Sequence, residues 1–475
     1  MSSESTSARK WVLGLTSVVS LMVALDILIV STALDSIRTD LGTSLETLEW
    51  SVNAYNLTFA VLLMTAAALA DRFGRRRSFV TGLIVFTVAS AMCALAADAG
   101  WLIVWRAVQG AGAAMVMPVS IALISTAFPP ERLGRALGIY MGVTGLATVA
   151  GPLVGGAITQ AFGWEWIFWL NVPIGLIVVP LALMRVKESK GPETRLDIRG
   201  NVLVTAAAFA LVWGLVRGNP AGWGSVEVVT ALVLGVVLVG AFVAWEKRAP
   251  QPMLPLRFFR NRSFSLGNAI TFFIFAQLFG SVFLMAQFLQ NVVGSGPLES
   301  GLQMIPWTGT MVFVAPIAGS LADRFGPRPV IVTGLLCSAA GMLWLGLVAA
   351  PGLSYWSVVL PLLIVGVGNS AAIPVAQSTT VGSVGQEAAG KASGANGMLR
   401  ELGGVFGIAI LVAIFAAVGG YTSSTTFADG FAGAIFGCVA FSLIGVALGV
   451  LLPRKAAAPD SPTPAVPADE RAEAR

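Results

Sequence analysis

The sequence predicts an all-α integral membrane protein built from two related six-span bundles with two further spans inserted between them. Three observations predict it: a composition too apolar for water, fourteen apolar segments with one-sided charge, and an internal repeat. Of 475 residues, 56% are hydrophobic and 11% are charged, against about 25% charged in an ordinary soluble domain. So few charges cannot cover a water-exposed surface of this size, and lipid must solvate most of it.

A bilayer-spanning helix needs about 20 mostly apolar residues. Along the chain such segments fall at 11–33, 50–70, 78–97, 101–124, 137–160 and 166–185, then at 201–217 and 226–245. Six more follow at 264–288, 301–322, 329–350, 356–378, 403–420 and 430–452. The segment at 201–217 is the shortest. Arg9 and Lys10 precede the first segment as in a secretory leader, but this segment is too long, carries Asp26 and lacks a small-residue cleavage site. It is therefore read as a retained span.

Charge placement gives the topology independently. Of the 29 Lys and Arg residues, only Arg38, Arg106 and Arg217 fall outside the N-terminus, the loops after even-numbered spans and the C-terminal tail. The opposite loops carry Asp35, Asp40, Glu46, Glu49, Asp98, Glu165, Glu227, Glu299 and Asp429. Lys and Arg accumulate on the cytoplasmic side of membrane proteins, so the even loops and both termini are expected to be cytoplasmic. The expected parts are a cytoplasmic N-terminus at 1–10, a six-span bundle at 11–185, and the inserted spans with their linkers at 186–263. A second bundle follows at 264–452, then a tail at 453–475. That tail is rich in Pro, Ala and charge, and disorder is expected there.

Several function classes drop out. The chain has no histidine, so His metal sites, Ser–His pairs and imidazole shuttles are impossible. Cys93, Cys337 and Cys438 lie far apart in apolar stretches, without the basic neighbours that activate a thiol. No nucleotide-binding loop, metal cluster or nucleophile–base pair is visible. An enzyme is not expected, nor a cofactor or nucleic-acid partner. Work must come from an ion gradient.

The segment Leu69-Ala-Asp-Arg-Phe-Gly74 recurs as Leu321-Ala-Asp-Arg-Phe-Gly326, 252 residues later. Each copy closes an apolar span on the face read as cytoplasmic. Two parallel six-span halves explain the match, and such halves hold substrate near the midplane at their interface.

With these residues the chain resembles the major facilitator superfamily, and within it the fourteen-span drug:proton antiporters. The loop Ala67-Ala-Leu-Ala-Asp71-Arg72-Phe-Gly74-Arg75-Arg76-Arg77 resembles the superfamily's signature loop, with Ala67 where a Gly is usual and Gly319 in the second copy. Span 4, with Arg106, Gln109, Gly110 and Gly112, is similar to the family's Arg-containing motif. Span 5 resembles the antiporter motif through Gly138, Gly151, Pro152, Gly155 and Gly156, with Ala147 as a departure. Leu25 to Leu34 resembles the motif of the fourteen-span branch, from which Leu28, Ser31 and Asp35 depart. The resemblance implies a major-facilitator fold, alternating access and export. It also implies proton coupling through intramembrane acids and the span-4 Arg.

Asp26 and Arg106 are read as the charged side chains well inside the hydrocarbon. Each costs roughly 2.5–3.5 kcal/mol there even on a lenient scale, so each needs a partner or a function. Counted at 1.5 Å per residue, Asp26 lies ~10 Å and Arg106 ~7 Å below the outer surface, so the two can meet. Either the pair is a static salt bridge, or Asp26 titrates as desolvation and the guanidinium pull in opposite directions. A 252-residue shift of Asp26 lands beside Gln277, among Phe272, Phe273, Phe275 and Phe279, so the second half carries a neutral polar group in that place. Asp26, Gln109, Phe275 and Gln277 are the cargo-pocket candidates, with packing or lipid-facing surface as the alternative for the Phe/Gln stretch.

Small residues in span 5 allow close helix approach, and Pro152 removes one helical hydrogen bond. Asp71, Arg72, Gly74, Arg75 and Arg76, with Asp323, Arg324 and Gly326, are expected to latch a cytoplasmic gate. Arg400 and Glu401, placed at the inner mouth of span 13, are a further gate pair. The expected protein is a monomeric, multi-pass cell-membrane antiporter exporting lipophilic drugs, antibiotics or a natural product in exchange for protons. With a single intramembrane acid, one proton is the simplest stoichiometry. A specific exporter of a sugar or lipid precursor, and a nontransporting receptor, are the alternatives.

Overall fold

A computed structural model describes residues 3–191, 197–384 and 389–453. The tail expectation therefore falls, after its first residue, outside the described residues. Seventeen α-helices follow one another, and among the described residues there is no strand.

The first half consists of α1 (Ser3–Asp40), α2 (Leu45–Phe73), α3 (Arg75–Ala94), α4 (Ala99–Ala127), α5 (Pro130–Phe162) and the broken pair α6 (Trp166–Trp169) and α7 (Asn171–Arg185). Two inserted spans follow as α8 (Ile198–Ala221) and α9 (Val226–Glu246). The second half holds α10 (Arg262–Asn291), the twice-broken span α11 (Pro297–Gln303), α12 (Ile305–Thr308) and α13 (Thr310–Phe325), then α14 (Pro327–Val348), α15 (Trp356–Gly382), α16 (Ala389–Val418) and α17 (Ser424–Val450). Thirteen of these spans are long and apolar enough to cross a membrane, and α5, bent by 41° between Ala147 and Ala150, makes fourteen. The bend stands one turn before Pro152, which cannot donate the helical hydrogen bond. The expected all-α, fourteen-span architecture is present.

Two boundaries differ from expectation for the same reason. The span read as 201–217 runs from Ile198 to Ala221, and the span read from 403 begins about four turns earlier, at Ala389. The early part of α16 reads as polar (Lys391, Ser393, Asn396, Arg400, Glu401). Yet Ala392, Ala395 and Met398 are buried in a core shared with α2 and α8. Hydropathy measures affinity for lipid, and this segment is solvated by protein.

The two halves repeat in detail. Gly82 of α3 packs on α4 at Gly112, and 252 residues on, Gly334 of α14 packs on α15 at Gly368. Gly155 of α5 lies on the backbone of α1 at Ile29, and Gly407 of α16 lies on the backbone of α10 at Ala276, again 252 residues on. Close approach at matched places is what builds each bundle without a hydrophobic drive between helices in lipid. The inserted α8 leans on both halves: Asn201 donates to the Val61 carbonyl of α2 at 2.7 Å and Asn219 to the Ala413 carbonyl of α16 at 2.5 Å. α9 lies outside α8, with only 17% of its apolar window buried, as befits a helix facing lipid.

The halves meet closely on the face opposite the basic loops. Gly156 and Pro152 of α5 receive Pro297 and Gly301 of α11 backbone to backbone. Gln160 accepts from the Leu298 amide at 3.2 Å, and Gln290 of α10 donates to the Thr32 carbonyl of α1 at 3.0 Å. The Arg38 guanidinium stacks 4.5 Å over the ring of Tyr421, whose hydroxyl donates to Gln287. On the basic face these elements part: nothing lies within 4 Å of a Cβ built at Gly138, Gly142 or Gly145 of α5, and Val312, Phe313 and Ile317 of α13 are more than half exposed. The two halves are thus closed against each other on the outer side by α5 and α11, and this contact does not continue along α13 toward the side the chain's charges mark as cytoplasmic.

This seal yields a test. An alanine methyl at Gly156 cannot coexist with the Pro297 carbonyl, and such overpacking costs ~1–3 kcal/mol, about 5- to 150-fold in population. In a Cys337→Ser background carrying Thr32→Cys, Gly156→Ala is expected to raise labelling by an impermeant outer thiol reagent by at least about fivefold. Unchanged labelling would place the seal elsewhere.

Candidate functional site

The centre of the first half is a dry polar cluster drawn from five helices. Asp26 of α1, Arg106 and Gln109 of α4, and Asn171 at the start of α7 are all at most 2% exposed. Arg106 Nη1 donates to Asp26 Oδ2 at 2.5 Å and to Gln109 Oε1 at 2.8 Å. Gln109 Nε2 and Asn171 Nδ2 donate to Asp26 Oδ1 at 2.8 and 2.9 Å. Asn171 also reaches Ser90 Oγ of α3 at 3.0 Å, and Ser90 donates to the Phe168 carbonyl at 2.8 Å, which ties the break between α6 and α7 into the cluster.

Arg106 is held from α2 as well. Its Nε donates to the Ser51 carbonyl at 3.1 Å, and its carbon centre lies 4.2 Å from the Tyr55 ring and 5.7 Å from that of Phe168. A planar, permanently charged guanidinium suits this place because it can fork between partners and stack at once. The meeting of Asp26 with Arg106, expected from depth alone, is realised. Three donors converge on the carboxylate, an arrangement suited to its anion. Asn171 and Tyr55 were not among the sequence candidates. A polar residue at a helix break and a Tyr one turn past Ser51 were the available signals.

The second half holds an uncharged counterpart. Gln277 of α10, fully buried, stands near Ser338 of α14 at 3.5 Å, and Ser338 donates to Asn369 Oδ1 of α15 at 3.0 Å. Cys438 of α17 completes it with a contact to the Gln277 carbonyl at 3.9 Å. The expected asymmetry, acid in one half and amide in the other, is thus visible in the packing. Gln277 and Gln109, offered as cargo-pocket candidates, both point into the interior of their own bundles here. Phe275, 8% exposed, lies 5.5 Å from the Arg400 guanidinium in a packed core of the second half.

Arg400 and Glu401 require a correction. They were placed at the inner mouth of a span and outside the hydrocarbon. The early start of α16 instead puts them nine and ten residues beyond Lys391, ~14–15 Å deep at 1.5 Å per residue. Glu401 is 1% exposed, so Asp26 and Arg106 are not alone in the membrane interior.

The signature loops behave differently in the two copies. In the first, Asp71 pairs with Arg75 at 2.9 Å, Gly191 donates its amide to the Asp71 carbonyl, and Arg75 donates its own to the Ser189 carbonyl. Glu188, which sequence reasoning missed, caps α3 by accepting from the Arg76 and Arg77 amides at 2.9 and 3.2 Å. Gly74 (φ 115°) turns the chain between α2 and α3 and leaves the space that the Glu188 carboxylate fills. Arg76 reaches the carbonyls of Leu183 and Val186, while Arg72 stays exposed over Phe73. In the second copy Gly326 makes the same turn (φ 87°), but Asp323 and Arg324 are exposed. Among the described residues no ion pair joins them to another element. Of the two loops expected to latch a cytoplasmic gate, the first is tied within its own half and the second is exposed.

In span 5, Gly151 and Gly155 lie against α1 at Leu28 and Ile29, within three residues of Asp26, while Pro152 and Gly156 carry α11. Gly138 is exposed, with no neighbour within 4 Å of a Cβ built on it. Among the described residues no group of acidic or thiol side chains could hold a metal.

Comparison with known proteins identifies the family and the fold. The profile of the Major Facilitator Superfamily matches residues 16–408. The tetracenomycin C resistance and export protein of Streptomyces glaucescens is 36% identical over 83% of this chain and 74% of its own length. The multidrug resistance protein Stp of Mycobacterium tuberculosis is 37% identical with the same coverage of each chain. The methylenomycin A resistance protein of Bacillus subtilis is 31% identical over 91% and 92%. Among solved structures, a bacterial homologue of the human lysosomal transporter Spinster, inward-facing and unoccupied, has the same fold. It superposes with a TM-score of 0.68 at 18% identity, covering 94% of this chain and 96% of its own. With a profile match over most of its length and relatives above 30% identity, this multi-pass membrane protein belongs to the Major Facilitator Superfamily.

Proposed function

We propose that the protein is a proton-coupled antiporter that exports lipophilic small molecules, drugs or antibiotics among them, by alternating access. The observation that carries the reading is Asp26, buried with Arg106 and directly beside the helix that closes the outer gate. The α5 segment that seats α11 of the other half also packs on α1 within three residues of Asp26. Rocking of the second half therefore pushes, through α5, on the turn that holds the carboxylate. A change in that turn alters both the desolvation of Asp26 and its distance from Arg106, the two influences that set its proton affinity.

The direction of exchange follows. In the inward-open arrangement Asp26 has its full set of donors, so a proton has left it for the cytoplasmic side while cargo enters the cleft. In the outward-open arrangement the donors loosen, a proton binds from outside, and cargo leaves. A ligand drives such a cycle only through different affinity for the two states. Arg106 keeps its charge throughout and acts as the counter-charge that moves relative to the acid. The printed names of the relatives (a resistance and export protein, a multidrug resistance protein) support outward movement of drugs or antibiotics.

Export of one defined compound is the second reading, favoured by relatives named for single antibiotics, tetracenomycin C and methylenomycin A. Competition by chemically unrelated dyes separates the two, since only a broad exporter is inhibited by all of them. The protein is further proposed to act as a monomer, with a pH gradient as its energy source.

Expressed in an efflux-deficient bacterial host, the protein is expected to raise tolerance to several lipophilic compounds, and a protonophore to abolish that tolerance. Tolerance that survives the protonophore would contradict proton coupling. In proteoliposomes, Asp26→Asn is expected to lose accumulation driven by a pH gradient while still exchanging cargo down its own gradient. Accumulation equal to the parent protein would end the role of Asp26. Arg106→Lys removes the fork to Asp26 and Gln109 and the stack on Tyr55. It is expected to slow gradient-driven transport by ~10–100-fold, the equivalent of losing a charged hydrogen bond worth about 1.5–3 kcal/mol, and a Lys variant with parental rates would reduce Arg106 to a neutral spacer.

A further inference from the structure

We infer that Glu401 is a second proton site, located in the C-terminal half, so that each turn of the exchange carries two protons, one on Asp26 and one on Glu401. This rests on the proposed antiport and replaces the one-proton expectation.

Glu401 lies ten residues into the span that begins at Lys391 and is 1% exposed. Its two oxygens are unequal. Oε1 accepts from Arg400 Nε at 2.8 Å and Nη2 at 2.6 Å, whereas Oε2 is buried without a hydrogen-bond partner. A bare carboxylate oxygen in a dry interior costs its full desolvation, and a proton placed on it removes that cost. A carboxyl serving only to neutralise Arg400 would have both oxygens engaged or one in water. Arg400 itself is 28% exposed, so the pair reaches the surface of the bundle.

Few other charges bear on this acid. The helices packed on α16 are α2, α8, α10, α15 and α17. α15 carries no ionisable side chain and α10 only Arg262 at its inner end. α8 has Arg199 and Arg217 toward its two ends, and α17 has Asp429 near its outer end and the thiol Cys438. From α2 come Glu46 and Glu49 at the outer end, Asp71 and Arg72 at the inner end, and Tyr55 between. Tyr55 lies within electrostatic range of Asp26, Arg106 and Glu401 together, and its buried hydroxyl also lacks a partner.

Two unsatisfied groups thus lie within electrostatic range of each other, an acceptor on α16 and a donor on α2. Gly394 and Gly397 of α16 make only ordinary contact with Met64 and Leu63 of α2, so this contact can slide without backbone collision. A slide that lets the Tyr55 hydroxyl donate to Oε2 stabilises the Glu401 anion, and its withdrawal favours the neutral acid. Proton affinity then differs between the two end states, as coupling requires. The proton binds to Oε2 from the outer side and leaves it, as H⁺, to the cytoplasmic side, with no other bond made or broken.

The test uses the full chain in proteoliposomes, with ethidium as cargo and the membrane potential clamped at zero by valinomycin and potassium. A one-unit pH gradient is imposed, and the cargo ratio that halts net flux is measured. Two protons balance roughly a 100-fold ratio and one proton roughly a 10-fold ratio. The expected results are about 100-fold for the parent, about 10-fold for Glu401→Gln and about 100-fold for Glu401→Asp. A parent value near 10-fold, unchanged by Glu401→Gln, overturns the inference and leaves the antiport reading intact. A parent ratio indifferent to pH overturns the antiport reading itself. Should Glu401→Gln fold but not transport, proton release on ethidium binding in detergent decides: the variant releasing one proton fewer than the parent supports the inference, and equal release overturns it.

Discussion

The structure turns on the cost of holding charge in hydrocarbon. Arg106 keeps its charge at any accessible pH, so a guanidinium placed inside the bundle obliges the surrounding helices to supply oxygen, donors and ring faces. Asp26, Gln109, the Ser51 carbonyl and the Tyr55 and Phe168 rings do so from α1, α2, α4 and α6, and Asn171 of α7 completes the carboxylate's shell. Those helices are thereby fixed to one another at a single depth. The partner half achieves the same registration with amide, hydroxyl and thiol groups.

The mechanical link from gate to charge runs through α5. A span bent by 41° just before a proline gives one helix two segments with different neighbours. Its glycines allow backbone contact with α1 on one side and α11 on the other. Close contact transmits displacement, because packed backbones have nowhere to yield. In the proposed cycle the outer seal and the acid are parts of one lever, and the contacts of Asp71 with Arg75 and of Glu188 with the start of α3 fasten the end of the same half.

Much of this was legible in the residues. Fourteen spans follow from apolar runs of bilayer length, orientation from the one-sided Lys and Arg, and the paired halves from a six-residue repeat that the glycine contacts extend. Asp26 and Arg106 announced themselves because charge in a long apolar run has no cheap explanation. Glu401 did not, for the converse reason: its neighbours in sequence are Lys, Ser, Asn and Gly, so the segment reads as a loop, although protein and not lipid surrounds it. Glu188 was invisible because capping depends on where a linker folds back, which no periodicity encodes. The inward aim of Gln277 was likewise beyond reach, since a helix pattern gives a face only when its neighbours are known.

The account requires the protonation of Asp26 to follow the conformation of the protein. Difference infrared spectroscopy tests this directly, with the Asp26 carboxyl signal assigned by its loss in Asp26→Asn. One sample is held outer-closed by a disulfide across the Thr32–Gln290 contact, and the other is the same protein reduced and shifted outward by lowering the external pH. The account predicts a carboxylate signal in the closed sample that converts to a protonated-acid signal in the other. A carboxylate signal identical in both would show a static ion pair and contradict the account.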